Sequence, residues 1–223
     1  MNSYFNEEFL KFFRGLSKNN NREWFEKNKD RYTEYVKEPF HSFIEELIVR
    51  LHFEDERINI EAKNAIFRIY RDVRFSNDKT PYKTHASALI SPHGRKNLEL
   101  PGFYFEFSHK EAGIYGGAYM IEKERLKNLR RFIVSNPAEF KSLIKDKNFK
   151  KYFGELKGEK AKRLDKEFTE ALKKEPLIAN KQFYYGKEFP AEIILDPKLP
   201  DIIVKHCRAG MKLSLFLEEG LKG

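Results

Sequence analysis

The chain reads as an α+β protein: a central antiparallel sheet of about four or more strands, with helices from both chain ends packed against it. Three observations predict this. Apolar residues recur at helical spacing up to Leu51 and again from Leu126 onward. Strict apolar/polar alternation is confined to the middle of the chain, as in Phe103, Phe105 and Phe107 between Tyr104, Glu106 and Ser108. Strands grouped centrally, with helices before and after, give α+β order and not the regular alternation of a doubly wound fold.

Taken in order, Asn6 is a suitable N-cap for a helix whose apolar face is Phe9, Phe12, Phe13 and Leu16. Asn20 as a second N-cap places Glu23 at N3, an asparagine version of the capping box. The stripe Phe25, Asn28, Tyr32, Tyr35 and Val36 follows. Pro39 suits a first helical turn, and Phe40, Phe43, Ile44, Leu47 and Leu51 draw a third apolar face. Strands are predicted at 65–70, 85–91, 103–108 and 114–119, with the last two close enough to require an antiparallel hairpin. Gly116-Gly117 marks a strand closely crossed by another element, or a place where a ligand approaches the sheet.

Helices return with Leu126, Leu129, Arg130 and Ile133. Asn136-Pro137-Ala138-Glu139 reads as a second capping box before Phe140, Leu143 and Ile144. The lysine-rich stretch 157–174 is either partly helical or mobile, and Phe183-Tyr184-Tyr185 is a further strand. A helix over 200–217, broken at Gly210, buries Ile203, Cys207, Leu213, Phe216 and Leu217. No repeat or Gly/Ser linker divides the chain, so residues 1–223 are expected to form a single domain.

With 223 residues the chain buries roughly 70% of its unfolded surface and needs no disulfide or metal for stability. A lone cysteine, no apolar run long enough to span a bilayer and no signal-peptide pattern point to a cytoplasmic protein. Lys and Arg total 43 against 34 Asp and Glu, a net charge of +9. Nucleic acid is therefore a possible partner, although much of the excess is dispersed among Lys/Glu mixtures that serve solubility. His41, His52, His85, His93, His109 and His206 show no paired spacing suited to a metal, and no phosphate-binding glycine loop is present, so no cofactor is expected.

The densest chemistry lies between Arg68 and Tyr82. Three of the chain's 14 arginines, Arg68, Arg71 and Arg74, fall within seven residues, followed by Lys79 and Lys83. An arginine fork holds a carboxylate or phosphate through two parallel hydrogen bonds, which a lysine cannot do. Only Asp72 and Asp78 are local counter-charges. Like charges ~4 Å apart repel by about 1 kcal/mol in water and about 4 kcal/mol near a protein surface, so the cluster requires an anion, either a protein carboxylate such as Glu23, Glu61 or Glu106 or a bound ligand. On an unbroken strand Arg71 points away from Arg68 and Arg74, so convergence requires the strand to end or bulge near Arg71-Asp72.

The residues Arg68, Arg71-Asp72, Arg74-Phe75, Lys79 and Tyr82 match R-x-x-R-D-x-R-F-x-x-x-K-x-x-Y, seven fixed residues in fifteen positions. In this pattern the chain resembles a bacterial family named domain of unknown function 2461. The resemblance includes the run Asn19 to Phe25 and extends over nearly the whole chain, weakening from Gly154 to Lys174. It implies one domain and supplies no mechanism.

Three readings of the segment stay open. In the first, Arg68, Arg71, Arg74 and Lys79 bind an anionic small molecule (phosphate ester, nucleotide or carboxylate) at the end of the 65–70 strand. Asn21 and Arg22 then assist from a helix N-terminus. Asp72 is the candidate base or arginine-orienting group, and Tyr82 the candidate hydrogen-bond donor. In the second, a basic surface binds nucleic acid. In the third, the segment is a salt-bridged clasp without a ligand, with Asp72 half of a buried pair.

Overall fold

In the computed structural model, which describes residues 3–222, the stripe after Asn6 forms helix α1 (Glu7–Lys18), with the Asn6 side chain accepting from the Glu8 amide. Helix α2 (Arg22–Lys27) is capped by Asn21, whose side chain accepts from the Trp24 amide at 2.9 Å. The cap thus falls one residue later than the sequence predicts. Asn20 is engaged elsewhere, and Glu23 pairs with Lys27 in place of a capping box. Helix α3 (Lys29–Tyr32), a wider π turn (Thr33–Lys37) and helix α4 (Glu38–His52) follow, with Pro39 in the first turn of α4.

A four-stranded antiparallel sheet is present, in the order β1-β2-β3-β4. Its strands are β1 (His85–Ile90), β2 (Phe103–Ser108), β3 (Glu111–Ala118) and β4 (Phe183–Pro190). The expected strand at 65–70 is not among them. Ala62–Ala65 is a helical turn, α5. The extended run after it meets Ala88 through Ile66 and Tyr82 through Tyr70, as two isolated bridges. Because it changes partner midway, from β1 to its own continuation, no continuous ladder forms.

The chain resolves into two compact units. The first comprises the chain through Arg95, Tyr104–Ile114 and Glu188–Val204; the second comprises Lys96–Phe103, Tyr115–Lys187 and the chain from Lys205 onward. In the first unit, Phe5 packs edge-on against Phe9, Phe43 and Phe107 with ring centroids 4.9, 5.2 and 5.8 Å apart. Edge-to-face pairs of this kind add about 0.5–1.5 kcal/mol each beyond area burial. Alternate residues Phe105 and Phe107 of β2 are fully buried, as period-two alternation requires.

The second unit contains helices α6 (Lys123–Ser135), α7 (Pro137–Ile144), α8 (Lys147–Phe153) and α9 (Thr169–Lys174). The capping box predicted at Asn136 does not form, because its side chain donates to the Phe132 carbonyl at 3.0 Å and closes α6. Much of the lysine-rich stretch is tied down: Lys157 and Lys160 bridge to Tyr184 and Asn180, and only residues 169–174 are α-helical. The final helix, α10 (Leu199–Lys222), runs without a break through Gly210.

The reason is Tyr185. Its buried hydroxyl lies 2.8 Å from both the Gly210 carbonyl and Ser214 Oγ. A Cβ at Gly210 would stand 2.4 Å from that oxygen, and one at Gly116 would stand 2.5 Å from the same ring. The glycine therefore admits a tyrosine instead of ending the helix. Gly117 has φ +92°, and its Cβ would lie 2.3 Å from the Phe183 carbonyl oxygen. The element predicted to cross Gly116-Gly117 is thus the neighbouring strand β4. Among the described residues no helix is long and apolar enough to cross a membrane.

Gly210→Ala is expected to destabilise the protein by about 1–3 kcal/mol through overpacking. In a Tyr185→Phe background the same substitution is expected to be less damaging, since part of the clash is with the hydroxyl. Urea denaturation of the two single variants and the double variant measures this coupling.

Candidate functional site

Beyond Tyr70 the chain turns back on itself, and the Arg71 amide donates to the Pro81 carbonyl at 2.9 Å. The Lys83 amide donates to the Ile69 carbonyl at 2.8 Å, closing a loop over residues 71–81. Asn20 anchors its base. The Asn20 amide donates to the Tyr82 carbonyl at 2.9 Å, and its oxygen accepts from the Tyr82 amide at 3.1 Å. Tyr82 is 3% exposed and stacks on Phe25 at 4.1 Å with an interplanar angle of 14°. Burial raises the Tyr82 phenol pKa, with the neighbouring Tyr70 adding to the effect.

Within the loop the cations find partners close at hand. Arg71 bonds the Asp78 carboxylate and the Thr80 hydroxyl. Arg74 grips Asp72 through two bonds of 3.0 and 2.7 Å, while its own side chain remains 77% exposed. Lys79 donates to the Val73 carbonyl at 3.0 Å. The Arg74 hydrogen bond holds the Asp72 carboxyl down at about 2. Asp78 is also held at about 2, first by the Thr80 amide and then by Arg71. Since Asp72 is exposed, the pair is not the buried clasp that the third reading requires.

Arg68 behaves differently. It has no hydrogen-bond or ion-pair partner among the described residues, and it lines a cavity of about 490 Å³ in the first unit. Phe25, Tyr32, Val36, Phe40 and Tyr70 supply much of the apolar lining. Lys29, Lys37, Lys63, Arg68 and Arg95 bring five fixed positive charges to it, and among the described residues no Asp or Glu lines it. Some of these charges are shared outward: Lys63 lies 2.5 Å from Glu61, Lys37 lies 3.0 Å from Glu38 and Lys29 lies 3.6 Å from Glu26. Arg95 is pinned by its Nε donating to the Ile66 carbonyl at 2.7 Å. Burial lifts the Tyr32 phenol to about 12, so it faces the cavity as a neutral group. Aromatic walls under a one-signed set of charges concentrate field on an incoming anion.

The sequence-predicted residues therefore separate. Arg68 is in the cavity wall; Arg71, Asp72, Arg74 and Lys79 belong to the loop; and Tyr82 is in the aromatic stack. Asn21 caps α2 and Arg22 begins it, and neither lines the cavity, although Phe25 of the same helix does. Lys29, Lys37, Lys63, Arg95, His41 and His85 were not predicted. Arg95 alone carried a usable signal, as an arginine in a chain that otherwise favours lysine. Among the described residues no three His, Cys, Asp or Glu side chains gather as a metal site.

Residues 8–216 match the model of a family described as conserved hypothetical protein (DUF2461). No curated protein and no solved structure matches the chain.

Asn20→Ala leaves both polar backbone groups of a buried tyrosine without their side-chain partner, and is expected to cost about 1–3 kcal/mol in denaturant unfolding. Asp72→Asn, at an exposed pair, is expected to leave the denaturation midpoint unchanged. Acid provides an independent check. The two carboxyls are depressed, so the order they lend the exposed loop is present above the ordinary carboxylate pKa and is lost as pH falls toward about 2. The Thr80 amide, held by Asp78 at 2.9 Å, is expected to report that loss as an NMR shift over the same pH range.

Proposed function

The chain belongs to the DUF2461 family, and from that premise we propose that it binds an anionic small molecule in the cavity of the first unit. The ligand class is a phosphate ester, nucleotide or carboxylate that also carries a ring or other apolar body. The observation that carries this reading is the lining: five Lys and Arg side chains, aromatic walls and no described carboxylate. A cavity of about 490 Å³ falls within the roughly 300–1,000 Å³ typical of small-molecule sites.

Arg68 is the principal anion-binding residue, because its guanidinium is free to make the paired hydrogen bonds that planar anionic groups accept. Lys63 and Lys37 add point charges, and Arg95, fixed against Ile66, keeps a cation in place without rearrangement. Arg71, Arg74, Asp72 and Lys79 act on this site indirectly, by holding the loop that follows Tyr70. Hydrogen bonds to charged groups are worth about 1.5–3 kcal/mol. Arg68→Ala is therefore expected to weaken binding of a nucleoside monophosphate or aryl phosphate by about 10- to 100-fold in calorimetric titration. Equal affinity of the variant and the wild type for every phosphate and carboxylate tested would overturn the proposal.

A second reading, contact with single-stranded nucleic acid, is favoured by one feature of the loop. Phe75 is 95% exposed, with the Arg74 guanidinium 5.8 Å from its ring centroid. Exposed aromatics flanked by arginine stack on bases. On this reading Phe75→Ala weakens a low-salt mobility shift with oligonucleotides and leaves small-anion binding intact. Absence of any shift would remove it.

A further inference from the structure

A second kind of chemistry faces the same cavity. His85, the first residue of β1, lines it, and the His85 Nδ1 atom lies 3.5 Å from a carboxylate oxygen of Glu106. Glu106, on the Nδ1 side of the ring, is not among the lining residues. Behind the pair, the Tyr104 hydroxyl donates to the other Glu106 oxygen at 2.7 Å. Tyr104 and Glu106 are two apart on β2 and so project from the same face of the strand. Burial raises the Tyr104 phenol pKa, so it stays a donor.

A carboxylate opposite Nδ1 keeps the imidazole proton on that nitrogen and leaves Nε2 as an acceptor. This arrangement has no purpose in simple charge attraction, which the lysines and arginines already provide. We propose that His85, oriented by Glu106 and Tyr104, is the acid/base group of the cavity and exchanges a proton with the bound anion. The inference rests on the anion-site reading and narrows it to anions carrying an ionisable O–H or N–H near the charged group. In the step itself, the imidazolium formed on binding and balanced by Glu106 gives its proton to the ligand: the His85 Nε2–H bond breaks and an O–H or N–H bond forms on the ligand. His85 returns to its neutral form, and the charge that remains on the ligand is held by Arg68 and its neighbours.

The charged surroundings define the expected pH behaviour. Burial is the main influence on His85 and opposes its protonation; Glu106 on β2 favours it, and Lys83, two residues earlier in its own run, opposes it. Arg68 and Arg95 line the same cavity, with Lys63 of α5 and with Lys37 and His41 on the helical stretch. Burial, with Lys83 adding to it, holds the His85 imidazole below the usual histidine range. An anion entering the cavity offsets the cations, so binding draws a proton onto His85 and affinity rises as pH falls from ~8 toward ~5.

The test uses 1-naphthalenesulfonate, whose charge is constant over that range, in calorimetric titrations at pH ~6 in buffers of different ionisation enthalpy. The wild type is expected to take up a proton on binding, His85→Gln to bind without uptake, and His109→Gln, outside the cavity lining, to retain uptake. If His85→Gln takes up the proton as the wild type does, the acid/base role is overturned and the anion site stands. If Arg68→Ala binds the probe as tightly as the wild type, the anion-site reading itself fails. Nitrogen-15 NMR of the imidazole in the free protein is an independent check that needs no ligand. An Nδ1–H tautomer that Glu106→Gln redistributes supports the proposal, and an Nε2–H tautomer in the wild type overturns it.

Discussion

The grip of one asparagine on one tyrosine organises the first unit. The Asn20 side chain satisfies both the amide and the carbonyl of Tyr82, and Tyr82 stacks on Phe25 of the helix that starts two residues after Asn20. Three dependencies follow. The chain leaving Tyr70 must return at Tyr82, where the two form a bridge. The run from Ile66 to Tyr70 is held extended along the cavity. Arg68, in the middle of that run, is kept in the cavity wall while the loop beyond it turns outward. A side-chain amide suits this task because it offers a donor and an acceptor together, as a peptide group does.

Charge is distributed along the segment by the same geometry. Arg71, Arg74 and Lys79 lie on a tight loop, where Asp78, Asp72 and the Val73 carbonyl are within a few residues. These bonds are local and exposed, so they order the loop more than they stabilise the fold. Arg68 precedes the turn and forms no ion pair there, although the Asp72 carboxylate senses its charge. It joins Lys29, Lys37, Lys63 and Arg95 around aromatic walls. Solvent screens like charges gathered at an open surface of this kind, and on the proposed reading an anion would neutralise them.

The second unit is organised around one large ring. Tyr185 occupies space that only glycine leaves open at 116 and 210, and its hydroxyl is placed between the Gly210 carbonyl and Ser214. The glycines and the tyrosine form a size-matched set, in which a methyl group on either glycine meets the ring.

Features that depend on neighbours in the chain were legible in the amino-acid sequence. Period-two alternation identified β2 through Phe103, Phe105 and Phe107, the i, i+3 spacing of the phenylalanines identified α1, and the Asn6 cap lay where the pattern of apolar residues required it. The basic segment was also legible, as was the need for a bend near Arg71. What tertiary structure decided was partnership. Asn20 and Asn136 have the chemistry of caps, but their side chains serve Tyr82 and Phe132. Gly210 has the chemistry of a helix break but accommodates Tyr185, a contact between residues 25 positions apart. The cavity draws its cations from several separate elements, and no spacing along one chain encodes that convergence. The sequence determined which groups carry charge and which hide from water; only the folded backbone determined which of them face one another, because long-range pairing is a property of three-dimensional packing.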